Sequence, residues 1–325
     1  MKLALALSTL VLALLLASLS LGYAPLPLSA VLGGVLGNGD PLHVMVMQEI
    51  RLPRTALAAL VGAALGLSGA AMQGYLRNPL AEPGLIGVSG SAALGAVLAL
   101  QTGLSAAFAL ALPLMALLFA LAAVALILLL AGPRGGSLTL ILAGIAVSAL
   151  AGALTSLALN LSSNPYATFE IVFWMMGSVA DRSLNHLALA APLVAIGAAV
   201  LLTLGRGLDA LTLGEDGAQA LGVSMTALRL KLLFGTAAAV GAATAVAGAM
   251  GFVGLVVPHL LRPLCGARPS RLLWASALGG AAMLLAADIA VRLVLPERDL
   301  KLGVVMALIG APLFLHLIYK TRRGG

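Results

Sequence analysis

Residues 72–90 read MQGYLRNPLAEPGLIGVSG, a polar turn carrying two prolines and set between stretches made mostly of Ala, Leu, Val and Gly. The surroundings are apolar throughout: of 325 residues, 62% are hydrophobic and 9% charged, and the mean hydropathy is +1.13. A soluble domain carries about a quarter charged residues on average, so this chain belongs in a bilayer. Apolar runs long enough to cross a hydrocarbon core of about 30 Å, which takes about 20 helical residues, recur along its length. The reading is an all-α polytopic membrane protein with one transmembrane domain over residues 1–325, and the quoted stretch is a break between two crossings.

Candidate spans fall at roughly 3–22, 55–75, 86–101, 108–131, 138–159, 187–205, 226–250, 252–263, 271–293 and 302–319, separated by segments rich in Gly, Pro, Asn and charge. That makes ten, the eighth being short. The first, behind Lys2, has the basic start of a secretory signal but a longer apolar part, and is expected to stay as an uncleaved span. The net charge of +7 does not indicate nucleic-acid binding, because the 18 basic residues are scattered between apolar runs and form no patch with aromatics. Their distribution reports topology. With the amino terminus in the cytoplasm, Lys2, Arg77, Arg134, Arg206, Arg229, Lys231, Arg262, Arg268, Arg271, Lys320, Arg322 and Arg323 lie inside and Arg51, Arg54, Arg182, Arg292, Arg298 and Lys301 outside. Twelve against six favours that orientation, with both termini cytoplasmic. A faint echo between VGAALGLSGA at 61–70 and VGAATAVAGA at 240–249 is compatible with two inverted-repeat-like halves, or with chance in an Ala/Gly-rich chain.

Several chemistries are disfavoured. The single Cys265 allows no internal disulfide, and no Cys/His spacing suggests a metal site. Without a GxxxxGK[ST] loop the chain has no cradle for nucleotide phosphates. A charge at mid-bilayer costs at least roughly 2.5 to 3.5 kcal/mol, so ion-coupled carriers keep their intramembrane acids for a purpose. Here Asp288 alone lies well inside an apolar run, with Arg292 four residues on along the same helical face, where a local ion pair is expected.

The longest polar segment among those read as cytoplasmic, 206–224, reads RGLDALTLGEDGAQALGVS. Gly214, then Glu215 and Asp216, then Ala218 to Leu221, then Gly222 spell one short helix, with acids at its positive end and glycine at its exit. Such a helix between polar loops can dock in a groove on a partner.

The segments RLPRTALAALVGAALGLSGAAMQGYLRNPLAEPGLIGVSGSAALGAVL at 51–98, TLGEDGAQALGVS at 212–224, GFVGLVVPHLLR at 251–262, AADIAVRL at 286–293 and LGVVMALIGAPLFL at 302–315 together resemble the FecCD-type permeases. These are the membrane subunits of ABC importers for ferric siderophores, haem and cobalamin, and the ordered set extends over nearly the whole chain. The resemblance implies a type II importer permease pairing with a second copy or a sister permease, two ATP-binding subunits below, and a periplasmic substrate-binding protein above. This chain would have no catalytic residue, metal or cofactor of its own; ATP and Mg2+ would belong to the partner ATPase. Besides these proteins and membrane lipid no partner is implied, and nucleic acid is not one. The setting would be the bacterial inner membrane.

By the same resemblance Glu215, Asp216, Ala218, Gln219, Leu221 and Gly222 would touch the ATPase, and Arg51, Arg54 and Arg292 would dock acidic patches of the binding protein. Arginine suits that task because its planar fork holds a carboxylate through two parallel hydrogen bonds. Asn78, Pro79 and Leu80 would close the cytoplasmic exit opposite RGGSLT at 134–139, with Ser137 as neighbour. His43 and His186 offer imidazoles in segments read as periplasmic, His259 follows Pro258 at a helix break, and FWMMGS at 173–178 is an adaptable apolar stretch. The expected cargo is a ferric siderophore or similar bulky iron chelate. Haem and cobalamin stay open as alternatives, and an ion-coupled secondary transporter is the reading of another class.

Overall fold

In a computed structural model, residues 2–22, 26–108, 110–132, 136–162, 164–294 and 300–323 are described, and among them no strand occurs. Helices follow one another as α1 (Lys2–Ser20), α2 (Leu28–Val35), α3 (Pro41–Met45), α4 (Leu52–Leu76), α5 (Val88–Gln101), α6 (Leu104–Ala107), α7 (Ala111–Ala131) and α8 (Ser137–Asn160). Then come α9 (Pro165–Met175), α10 (Leu184–Leu202), α11 (Gly205–Leu211), α12 (Glu215–Ala220), α13 (Met225–Ala247), α14 (Val253–Leu261), α15 (Pro269–Val294) and α16 (Leu302–Arg323). Among the described residues seven helical runs are long and apolar enough to cross a membrane. The shorter α5 and α14 and the partly described α16 fall where the other three crossings are expected. The chain is a multi-pass membrane protein. Arg134 and Arg298 lie outside the described residues, as do the side chains of Lys320, Arg322 and Arg323.

Burial sorts the helices into a centre and a rim. In α13 and in the run ending with α4, 83% and 78% of the most apolar window is buried inside the chain, against 6% for α1. These two central helices carry the echoed segments. Without a hydrophobic driving force between lipid-solvated helices, their association depends on close packing, and small residues make that possible. A methyl group on Gly62 or Gly66 would run into the carbonyl oxygens of Gly280 and Ser276 of α15. The two backbones therefore meet directly.

Residues 26–51, expected to contain no helix, hold α2, α3 and a π-helical turn at Val46–Arg51 that runs straight into α4. The sequence reading begins the second crossing at 55, two residues past Pro53. A proline removes one N–H and crowds the carbonyl four residues earlier, which reads as a helix boundary. The wider π turn just before it accommodates the ring, so Pro41–Leu76 is one helical run of 36 residues. The third span starts at Val88, and the seventh and eighth are split at 248–252, where Gly248 and Phe252 both take left-handed φ values.

Gly66→Val is expected to overpack the α4–α15 contact at a cost of about 1–3 kcal/mol. The fraction of monodisperse protein surviving a heating series in detergent should fall, whereas Gly152→Val, at an open position on α8, should leave it unchanged.

Candidate functional site

Three groups of residues define the candidate site, two at one end of the bundle and one at the other. At the first end α4 stops at Arg77, whose φ of 49° and ψ of 31° close the helix in the left-handed form. Asn78 Oδ1 accepts from the Leu80 N–H at 2.9 Å, the Ala81 N–H returns to the Asn78 carbonyl, and Pro83–Ile86 forms a single tight turn. Arg77, Asn78 and Pro79 are exposed and Leu80 is half-buried, but from Ala81 onward the chain turns inward. At Gly87 a Cβ would lie against Gly144 and Ser148, midway along α8. The break thus faces outward only at 77–80; its second half re-enters the bundle.

There it meets the second break. Glu82 Oε2 accepts from the Phe252 N–H at 3.4 Å, satisfying a donor that the left-handed turn at Phe252 leaves outside any helix. Gln73 of α4 donates to the Gly254 and Leu255 carbonyls at 3.4 and 3.2 Å and accepts from Arg262 Nη2 at 2.7 Å. Leu65, Glu82, Pro83, Ser89, Met250 and Phe252 line a cavity of about 160 Å3 between the breaks. Irregular backbone at depth is tolerable only inside protein or along an aqueous path. Sequence reading passed over Gln73 and Glu82 as functional residues, although each is a polar side chain within or beside an apolar run. Ser137 opens α8, but its side chain and the whole of 133–135 lie outside the described residues, and with them the expected pairing of the 78–80 turn with that loop.

The short helix read from 206–224 is α12. Gly214 precedes it with a φ of 98°, and the Gly222 and Val223 N–H groups close it on the Gln219 and Ala218 carbonyls. Ala218 is buried and anchors it to the core, Glu215 is half-buried, and Asp216, Gln219 and Gly222 are exposed. Leu213 and Leu221 project apolar side chains, 71% and 64% exposed. α11 is pinned beneath it: Asp209 accepts from Arg268 Nε at 2.8 Å and from the Ser270 N–H and Oγ–H at 2.8 and 2.7 Å. Partial burial would raise the Asp209 carboxyl, but these bonds outweigh it and hold the group below the usual carboxylate range.

At the other end Arg51, Arg54 and Arg292 come together as a cluster, and their hydrogen bonds run inward. Arg51 Nη1 donates to the Leu19 and Ser20 carbonyls at 2.8 and 2.9 Å, and Arg292 Nη1 to the Ser18 and Leu21 carbonyls at 2.9 and 3.0 Å. Two guanidinium groups thereby cap the end of α1, where the last carbonyls have no partner in the helix. Asp288 sits between Arg54, 2.8 Å away, and Arg292, 3.0 Å away, so the expected Asp288–Arg292 pair exists and has a second cation on it. Arg51 is 6% exposed, while the Arg54 side chain keeps 21% of its surface open. The imidazole of His186 caps its own helix, with Nδ1 3.0 Å from Ser183 Oγ. His43 lies in α3 and His259 in the last turn of α14. Within FWMMGS, Trp174 is buried, and the Gly177 carbonyl accepts from the Gly303 N–H. Among the described residues no group of three His, Cys, Asp or Glu is placed to hold a metal ion.

A helical membrane bundle with two clasped breaks and a protruding polar-end helix has the form of a transporter's membrane subunit. The model of the FecCD transport family matches residues 10–320, and the chain belongs to that family. It is 40% identical over 298 residues to an uncharacterised ABC transporter permease, YvrB, of Bacillus subtilis, covering 90% of this chain and 84% of the relative. It is 38% identical to the hemin transport system permease HmuU of Yersinia pestis, covering 95% and 94%. A solved structure described as an inward-facing conformation of a metal-chelate type ABC transporter superposes with a TM-score of 0.87 at 36% identity, over 98% of this chain and 99% of that one. The chain is accordingly an ABC transporter permease.

Asp209→Ala should loosen the joint between α11 and α15 by about 1 kcal/mol; Arg268 is 57% exposed, which keeps the ion-pair contribution small. Amide exchange over 205–222 should quicken while α4 stays protected. The same loosening is expected in the native chain on acidification: the carboxylate contribution is complete above pH of about 4 and is lost as the pH falls through the lower native value.

Proposed function

We propose that this permease imports a ferric siderophore or a related bulky iron chelate across the inner membrane, driven by separate ATP-binding subunits that dock on α12. The observation that carries the reading is α12 itself: a short helix held to the core by buried Ala218, presenting Asp216, Gln219 and an exposed Leu221 outward. An apolar tip among polar groups suits a groove in a partner. On this reading α12 is cytoplasmic, as are both termini. ATP and Mg2+ act in the partner, and closing of the paired ATPases moves α11 and α12 against α15 through Asp209.

The turn at Asn78, Pro79 and Leu80 is the cytoplasmic gate, closing opposite the loop that holds Ser137, in a permease paired with an identical copy or a sister. The clasp between Glu82 and Phe252 holds the re-entrant backbone behind it. Docking of a periplasmic binding protein at the arginine cluster begins at Arg54, the most open of the three beside Arg51 and Arg292. Exposed ion pairs contribute about 0 to 1 kcal/mol each, so docking there sets orientation and encounter rate more than affinity. Haem or cobalamin remains the alternative cargo, supported by the hemin permease HmuU and by the vitamin B12 permease BtuC of Klebsiella pneumoniae, 41% identical over 85% of this chain. An ion-coupled carrier is disfavoured, because the buried acid Asp288 is paired with two arginines.

Leu221→Asp should cut ATP-dependent uptake in vesicles carrying the whole transporter by about tenfold or more, the equivalent of about 1.4 kcal/mol of lost docking. Insertion and folding should be unaffected, since Leu221 lies outside the core. Undiminished uptake and ATPase stimulation would overturn the role of α12. Uptake by the permease alone on an ion gradient would overturn the reading as a whole.

A further inference from the structure

On the outer wall of the bundle, apart from the groups described above, the first turn of α1, the turn at Pro263–Cys265 and the first three turns of α15 enclose a cavity of about 460 Å3. Leu3, Ala4, Leu264, Trp274 and Leu278 give it apolar walls, and Arg271 stands at its rim. Arg271 and Leu278 are seven residues apart on one helix, so the groove runs from a charge to hydrocarbon depth over about 10 Å. Trp274, one turn in from Arg271, is 61% exposed. α1, the other wall, is the least buried crossing helix, so the groove opens away from the core.

Among the described residues Arg271 takes part in no ion pair. Asp209, bonded to the neighbouring Ser270, already holds Arg268 and both donors of Ser270. The groove therefore offers a cation at headgroup level, an interfacial indole below it and an apolar channel deeper still, in the order in which a phospholipid presents phosphate, glycerol and acyl chain. We infer that the groove holds one anionic phospholipid, its phosphate on Arg271 and an acyl chain along Trp274 and Leu278. Charge complementarity selects this occupant: the apolar helix face of a second permease would cover Arg271 without neutralising it, and a buried unpaired charge is costly. The site is independent of the proposed cargo and of the α12 contact.

The full-length chain contains two tryptophans, Trp174 and Trp274, so the fluorescence difference between the native chain and its Trp274→Phe form reports the groove. In vesicles of increasing brominated-lipid content, brominated phosphatidylglycerol should quench the Trp274 signal at about fivefold lower mole fraction than brominated phosphatidylcholine. Arg271→Gln should abolish that preference and leave quenching by both lipids. Equal quenching by the two headgroups in the native chain would overturn the site, as would a preference that survives Arg271→Gln. Shielding of Trp274 from both lipids in a dimeric preparation would overturn it too, by showing that a second copy covers the groove.

Discussion

In hydrocarbon a peptide N–H or carbonyl that leaves its helix has no water to bond, and each unmatched group costs several kcal/mol. This constraint accounts for several of the polar side chains that this apolar chain retains inside. Glu82 meets the stray N–H of Phe252, Gln73 the Gly254 and Leu255 carbonyls, and Arg229 the Gly132 carbonyl. Arg51 and Arg292 take the carbonyls at the end of α1. Placing the breaks where they occur requires side chains of the right sign and reach on the neighbouring helix. Transporter folds commonly place such breaks along the path, where the freed backbone groups face the cargo or the aqueous route.

The fold was legible in the sequence wherever a span is long and uniformly apolar, as in α7 and α8, because length and hydropathy alone set a crossing. It was illegible where local and tertiary signals conflict. Pro53 reads as a boundary, yet the π turn at 46–51 carries the helix through it. The Asn-Pro and Glu-Pro pairs read as a break between two crossings, but that after Leu80 the chain turns inward was not legible, because what it bonds there lies about 170 residues away in sequence. The α12 helix was legible to within a residue, since its glycines and acids are local signals. The partners of Gln73 and Glu82 were not, because a lone polar side chain beside an apolar run does not reveal which backbone group it serves.

The arginines at the far end illustrate a second kind of overlap. A guanidinium that caps a helix and a guanidinium that receives a carboxylate use the same donors, and both uses favour one residue type. Arg54 differs from its neighbours in facing Asp288 while keeping part of its surface open, so it can add a second acid without releasing backbone. Arg51 and Arg292 would have to give up carbonyls of α1 to do the same.

The uninterrupted run from Pro41 to Leu76 joins those two ends. At about 1.5 Å per residue it is roughly 54 Å long, with Arg51 and Arg54 about 15–20 Å from its start and the Asn78 turn just past its end. The helical backbone passes through Pro53 without interruption. Gly62 and Gly66, about midway between Arg51 and Leu76, press on α15, so a tilt about that contact would carry the two ends in opposite directions.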